Sequence, residues 1–151
     1  MSRKSETSDR QGSRQTGQTP GQILARLRGA GLRPTRQRRA LGKLLFEGGD
    51  RHVTAEALHD EALAAGISVS LATVYNTLHQ FTDAGLLRQV VVDSACTYFD
   101  TNTSDHHHFF REQDGALIDI DGKAIKVVGV PGAPDGLDVA RVDVIVRLSR
   151  S

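Results

Sequence analysis

Ser70–Asp100 reads SLATVYNTLHQFTDAGLLRQVVVDSACTYFD, and the hydrophobic period changes inside it. In its first half Val74, Leu78 and Phe81 recur at helical spacing, with Ser70 placed to cap the helix and Gly85 to stop it. Past Leu86 the period falls to two, which predicts strands near 87–92 and 95–100 joined at Asp93 and Ser94. Helices followed by such a small hairpin make a winged helix-turn-helix.

Upstream, the helical plan repeats. PGQILARLRGAG sets Ile23, Leu24 and Leu27 between a proline start and a glycine stop. LRPTRQRRALGKLLFEGGD offers Thr35 as N-cap and Ala40, Leu41, Leu44 and Leu45 as one face, with Arg36, Arg38, Arg39 and Lys43 largely outside it. HVTAEALHDEALAAG has Thr54 as cap, Ala57, Leu58 and Leu63 facing inward and Gly66 as stop. Residues 1–19 lack periodic apolar positions, so burial there cannot offset the entropy of ordering, and a disordered, mildly basic tail is expected.

Downstream, HHHFF, ALIDI, AIKVVGV and LDVARVDVIVRL all look like strands, the last with Ala140, Val142, Val144, Val146 and Leu148 on one face; PGAPDG is a loop by composition. The expected class is α+β: a tail over 1–19, a winged-helix DNA-binding domain over 20–101, and a small α/β domain over 102–151 for dimerisation and sensing. A unit of that size does not stand comfortably alone, so its sheet is expected to pair with a second copy.

The net charge of +1 conceals a polarity. Residues 1–51 carry twelve Lys/Arg against four Asp/Glu, and residues 52–151 carry seven against fourteen. A basic front attracts nucleic acid, and an acidic, histidine-bearing back can hold cations. Cys96 is the single cysteine, which excludes an intrachain disulfide and a Cys-x-x-Cys zinc clip. With no apolar run long enough to span a bilayer and no signal-peptide core at the start, no membrane association and a cytoplasmic location are expected.

A recognition helix needs one apolar face held by the domain and one hydrogen-bonding face aimed into the major groove. The helix after Ser70 has both, and Thr73, Tyr75 and Asn76 in its first turns are the candidate groove contacts. Arg36 and Arg38 are candidates for phosphates, which set affinity rather than sequence preference. In an extended strand His106 and His108 share a face while His107 points the other way. Carboxylates from neighbouring strands, with Asp100 and Asp119 as candidates, would complete a mixed nitrogen and oxygen set suited to Zn²⁺, Mn²⁺ or Fe²⁺, and His52 could close it across the domain junction.

In its motifs GLRPTRQRRAL, HVTAEAL, SLATVYNTLHQFTDAGLL and YFDTNTSDHHHFF, in that order, the chain resembles the ferric uptake regulator family, and within it the iron response regulator branch of alphaproteobacteria. The resemblance implies a homodimeric transcription factor of iron and haem metabolism that reads an AT-rich inverted repeat and is not an enzyme. It also places His52, Asp100, His106, His108 and Asp119 on the family's regulatory interdomain metal site. Where many members hold a structural zinc through Cys-x-x-Cys pairs, this chain has Arg111 and Asp114, so no structural four-cysteine zinc is expected. The branch is described as sensing haem. With no Cys-Pro motif here, His106, His107 and His108 are the candidate haem ligands. The competing reading is a winged-helix DNA-binding dimer with no sensory ligand. A metalloenzyme is disfavoured, because no acid or base is poised beside the candidate ligands.

Overall fold

The computed structural model describes residues 20–151. The expected tail over 1–19 therefore lies outside the described residues. Four helices come first: α1 (Pro20–Gly29), α2 (Arg36–Phe46), α3 (Ala55–Ala64) and α4 (Leu71–Asp83). The last three start on the side chains expected of them. The hydroxyls of Thr35, Thr54 and Ser70 accept the backbone N–H of Arg38, Ala57 and Thr73 at 3.3, 3.1 and 3.1 Å, satisfying donors that a first helical turn leaves unpaired.

Their apolar stripes meet in one core of Ile23, Leu27, Leu41, Leu45, Phe46, Leu58, Val74, Leu78 and Phe81, closed from the sheet side by Val53, Leu87 and Phe99. One inward face differs from expectation. In α3 the buried residues are Ala55, Leu58 and Ala62, whereas Ala57 is exposed and Leu63 is 52% exposed. Ala55, Leu58 and Ala62 hold the stripe at steps of three and four, and Leu63 lies one residue, roughly 100°, beyond it.

The wing hairpin is β2 (Arg88–Asp93) and β3 (Cys96–Asp100). It turns at Ser94-Ala95, one residue later than expected, because the Asp93 carboxylate accepts the N–H of Ala95 at 2.9 Å and builds the turn after itself. A third strand, β1 (His52–Val53), pairs antiparallel with β3 to give the order β1-β3-β2. Two residues carry no readable period, so the sequence did not announce it.

The second sheet is β4 (His106–Arg111), β5 (Ala116–Asp121) and β6 (Ile145–Leu148), in the order β5-β4-β6 with β4 and β6 parallel. Two expected strands are corrected here. AIKVVGV is not a strand, and of LDVARVDVIVRL only Ile145–Leu148 is one; a 3₁₀ turn at Gly122–Ala124 leads into a long irregular stretch. Alternation makes a strand only where a ladder partner is met, and neither AIKVVGV nor the stretch before Ile145 pairs with the outer edge of β5 or β6. The apolar side chains of that stretch stay open to solvent, Val128 at 75% and Leu137 at 65%. No helix among the described residues is long and apolar enough to cross a membrane.

Candidate metal centre and nucleic-acid face

Strand register assembles the centre. β1 sets His52 opposite Asp100 on β3, and β5 sets Asp119 opposite His108 on β4. His106 and His108 both point inward from β4, at 4% and 1% exposure, and Asp100 is fully buried. Asp100 Oδ2 receives three imidazoles, the Nε2 atoms of His106, His108 and His52 at 2.8, 3.0 and 3.1 Å. Asp119 Oδ1 closes the ring at 2.7 Å from His52 and at 3.3 and 3.4 Å from His106 and His108. All five expected ligands thus offer one donor atom each, within 4.8 Å of one another.

Proton counting shows what this arrangement asks for. A carbonyl oxygen only accepts, so the 2.7 Å contact of His106 Nδ1 with Ser104 O requires Nδ1–H. Nε2 of the same ring, 2.8 Å from Asp100 Oδ2, then either carries a second proton or faces the carboxylate across a shared cation. Three nitrogens on one carboxylate oxygen exceed the lone pairs it can offer to hydrogen bonds, and a single cation among them satisfies every donor atom at once. Three imidazoles and two carboxylates are a donor set that fits Zn²⁺, Mn²⁺ or Fe²⁺.

The electrostatics agree. Burial pushes the Asp100 carboxyl up, but bonds from His108, His52 and the Asn102 N–H outweigh it and hold the group well below the usual carboxylate range. His52 is pulled down by burial and raised more strongly by Asp100 and Asp119, ending above the ordinary histidine value.

The third histidine stands apart. His107 Nδ1 accepts the N–H of Val144 at 3.0 Å, so its lone pair is used and its proton sits on Nε2. His106, His107 and His108 therefore do not present a common set to a haem: two turn into the centre and the third lacks the free lone pair that an iron ligand needs. Arg111 and Asp114 form a bidentate ion pair at 2.8 and 2.7 Å across the β4–β5 turn.

On α4, Asn76 is exposed and Thr73 half-buried beside the Ser70 cap. The Tyr75 hydroxyl donates to Glu56 on α3 at 2.6 Å, so this ring braces two helices as well as lining the face. Arg38 donates to Gln80 Oε1 at 3.2 and 3.0 Å and to the Arg33 carbonyl at 2.9 Å, fixing α2 against α4; Arg36 is exposed. Gln80 was missed by sequence reasoning, since an isolated glutamine on a helix face carries no signal of its partner.

The sequence profile of the ferric uptake regulator family matches residues 29–135, most of the chain. The chain belongs to this family. Among its curated relatives is the peroxide-responsive repressor PerR of Staphylococcus aureus, 34% identical over 96 residues. The match spans 64% of this chain and 64% of the length of that relative. Its fold is similar to that of the ferric uptake regulator from Pseudomonas aeruginosa with manganese, with a TM-score of 0.65 and 24% identity over 85% of this chain and 97% of that one. It is equally similar to the Vibrio cholerae ferric uptake regulator, at a TM-score of 0.65 and 21% identity over 84% and 98%. Family membership and fold follow from these likenesses; the iron response regulator branch is not singled out by them.

Proposed function

We propose that this chain is a dimeric, sequence-specific DNA-binding transcription regulator, not an enzyme, whose grip on DNA responds to a divalent metal held by His52, Asp100, His106, His108 and Asp119. The observation that carries the reading is the convergence of these five donor atoms from strands of two sheets. A divalent ion there would supply positive charge that the two carboxylates balance. His52 and Asp100 belong to the sheet under the helices and the other three to the second sheet, so such binding favours one relative placement of the two.

The partition into a winged-helix unit over 20–101 and a second unit over 102–151 is part of the proposal. Among the described residues beyond 101 only Phe110 and Ile120 are buried apolar side chains, while Val127, Val128, Val130, Leu137, Val139 and Val142 are exposed. That imbalance supports pairing with a second copy. A two-fold dimer would read an inverted repeat, AT-rich on the family resemblance, with half-sites about one turn or roughly 34 Å apart. Asn76 and Thr73 would face base edges, Tyr75 would line the same face, and Arg36 and Arg38 would meet phosphates.

Solved relatives described as carrying manganese, iron and zinc support a divalent ion as the ligand. Haem would have to displace the Val144 N–H from His107 or draw His106 and His108 out of the centre. Control of iron or haem metabolism genes in the cytoplasm, and the iron response regulator branch, stay with the resemblance that suggested them. Fluorescence anisotropy of an inverted-repeat duplex with chelator-treated protein, repeated with Mn²⁺ and with haem, tests the reading. A metal-dependent change in affinity supports it; unchanged affinity with every ligand leaves a winged-helix dimer with no sensor.

A further inference from the structure

Arg88, the first residue of β2, pairs in register with Asp100 and is only 5% exposed. Burying a guanidinium is costly unless its donors are used. Its Nη1 donates to the Ser104 carbonyl at 3.0 Å, its Nη2 to the Asp143 carboxylate, and its Nε has no acceptor. The same Ser104 oxygen accepts His106 Nδ1–H. That one carbonyl therefore takes a guanidinium donor from the wing and an imidazole N–H from a candidate metal ligand.

We propose that Arg88 is a positioning residue of the metal centre, acting through the Ser104 carbonyl on His106 and thereby tying the centre to wing strand β2. This rests on the metal reading above. A ligating imidazole is oriented by what its second nitrogen donates to, and that partner usually matters 10- to 100-fold in metal affinity. Here the partner is a loop carbonyl, which the guanidinium both polarises and holds in place. Asp143 anchors the guanidinium from the other side and is itself held by Arg141 Nε at 2.9 Å, with Arg141 Nη2 donating to the Gln89 carbonyl of β2 at 3.2 Å. Nothing in the spacing of Arg88, Ser104 and Asp143 along the chain announces this arrangement.

The rival is a buried ion pair that only stabilises the fold, and the two separate experimentally. Full-length chelator-treated protein is titrated with Co²⁺, following its visible d–d bands, for wild type, R88M, R88K and D143N, with thermal unfolding measured on each. A positioning role predicts that R88M loses roughly 10- to 100-fold in Co²⁺ affinity with altered bands. R88K, which can still donate to Ser104, recovers most of the affinity. D143N lowers the unfolding temperature but stays within about threefold of wild type in affinity, because the Ser104 bond survives. In the Zn²⁺-loaded protein the His106 Nδ1–H resonance shifts in R88M and not in D143N. Wild-type bands and affinity in R88M, or affinity losses that merely follow unfolding temperature across the three variants, overturn the proposal while the metal reading stands. A wild-type protein that binds no Co²⁺ removes both.

Discussion

Asp100→Asn tests the centre with the smallest change in shape. The carboxylate has two tasks: Oδ1 accepts the Asn102 N–H at 2.9 Å, and Oδ2 faces the three imidazoles. In the amide only one oxygen remains, and keeping the backbone bond turns the NH₂ toward the Nε2 atoms. A ligand is then replaced by a donor, and the charge opposing the cation is gone. Removing one partner from a buried charged cluster costs about 3–5 kcal/mol. At about 1.4 kcal/mol per decade, that is a weakening of roughly a hundred- to several-thousand-fold in Kd. Competition between chelator-treated protein and a fluorescent divalent-metal indicator, for Mn²⁺ and Zn²⁺, reads the change, with circular dichroism confirming the fold. A folded Asp100→Asn protein whose Kd lies within threefold of wild type would refute the reasoning.

Three further outcomes are expected. Asn76→Ala should weaken binding to the specific duplex by about 1–3 kcal/mol while barely changing binding to a scrambled one; equal losses on both would remove Asn76 from base reading. Tyr98 donates its hydroxyl to the Gly115 carbonyl, and burial first, then its bond with Cys96, raises its phenol to about 12. The raised value means the protonated form stabilises the fold fully below pH ~10, and that contribution is lost as pH climbs from ~10 through ~12. Phenolate absorption should lag a free tyrosine accordingly, and Tyr98→Phe should cost about 1 kcal/mol in denaturant unfolding and remove the larger part of that lag, leaving what Tyr75 contributes through its bond to Glu56. Thr35→Ala removes the cap of α2 and should cost about 1 kcal/mol. By calorimetry that is roughly 2–4 °C; no shift would mean the cap contributes nothing.

The centre was legible because its donors obey simple periods. His106 and His108 share a strand face by their i, i+2 spacing, Asp100 and Asp119 were candidate carboxylates from neighbouring strands with His52 closing the set across the domain junction, and the resemblance pointed to the same five residues. The four helices were legible because Pro20 starts the first, Thr35, Thr54 and Ser70 cap the other three, and apolar residues recur behind each. What failed depends on partners distant in sequence. β1 is two residues long and exists because β3 offers it an edge. The alternation through 140–148 suggested a long strand, but only Ile145–Leu148 finds a ladder. His107 looked available for haem until the Val144 N–H took its lone pair. Arg88 looked like any strand arginine, and only tertiary placement sets it between Ser104 and Asp143.

Exposure is uneven among the five donors. The side chains of His52, Asp100, His106 and His108 are 16%, 1%, 4% and 2% exposed, and that of Asp119 is 40%. Four sides of the centre are wall and one is a door, and the door is a single carboxylate on a short side chain. An ion held there would arrive and depart past Asp119, and its escape would need that side chain to swing aside as well as the bonds to the four buried donors to break. In the metal-responsive regulator proposed above, such a centre would give the response a memory: after the outside concentration falls, the earlier level would go on being reported for as long as the door stays shut.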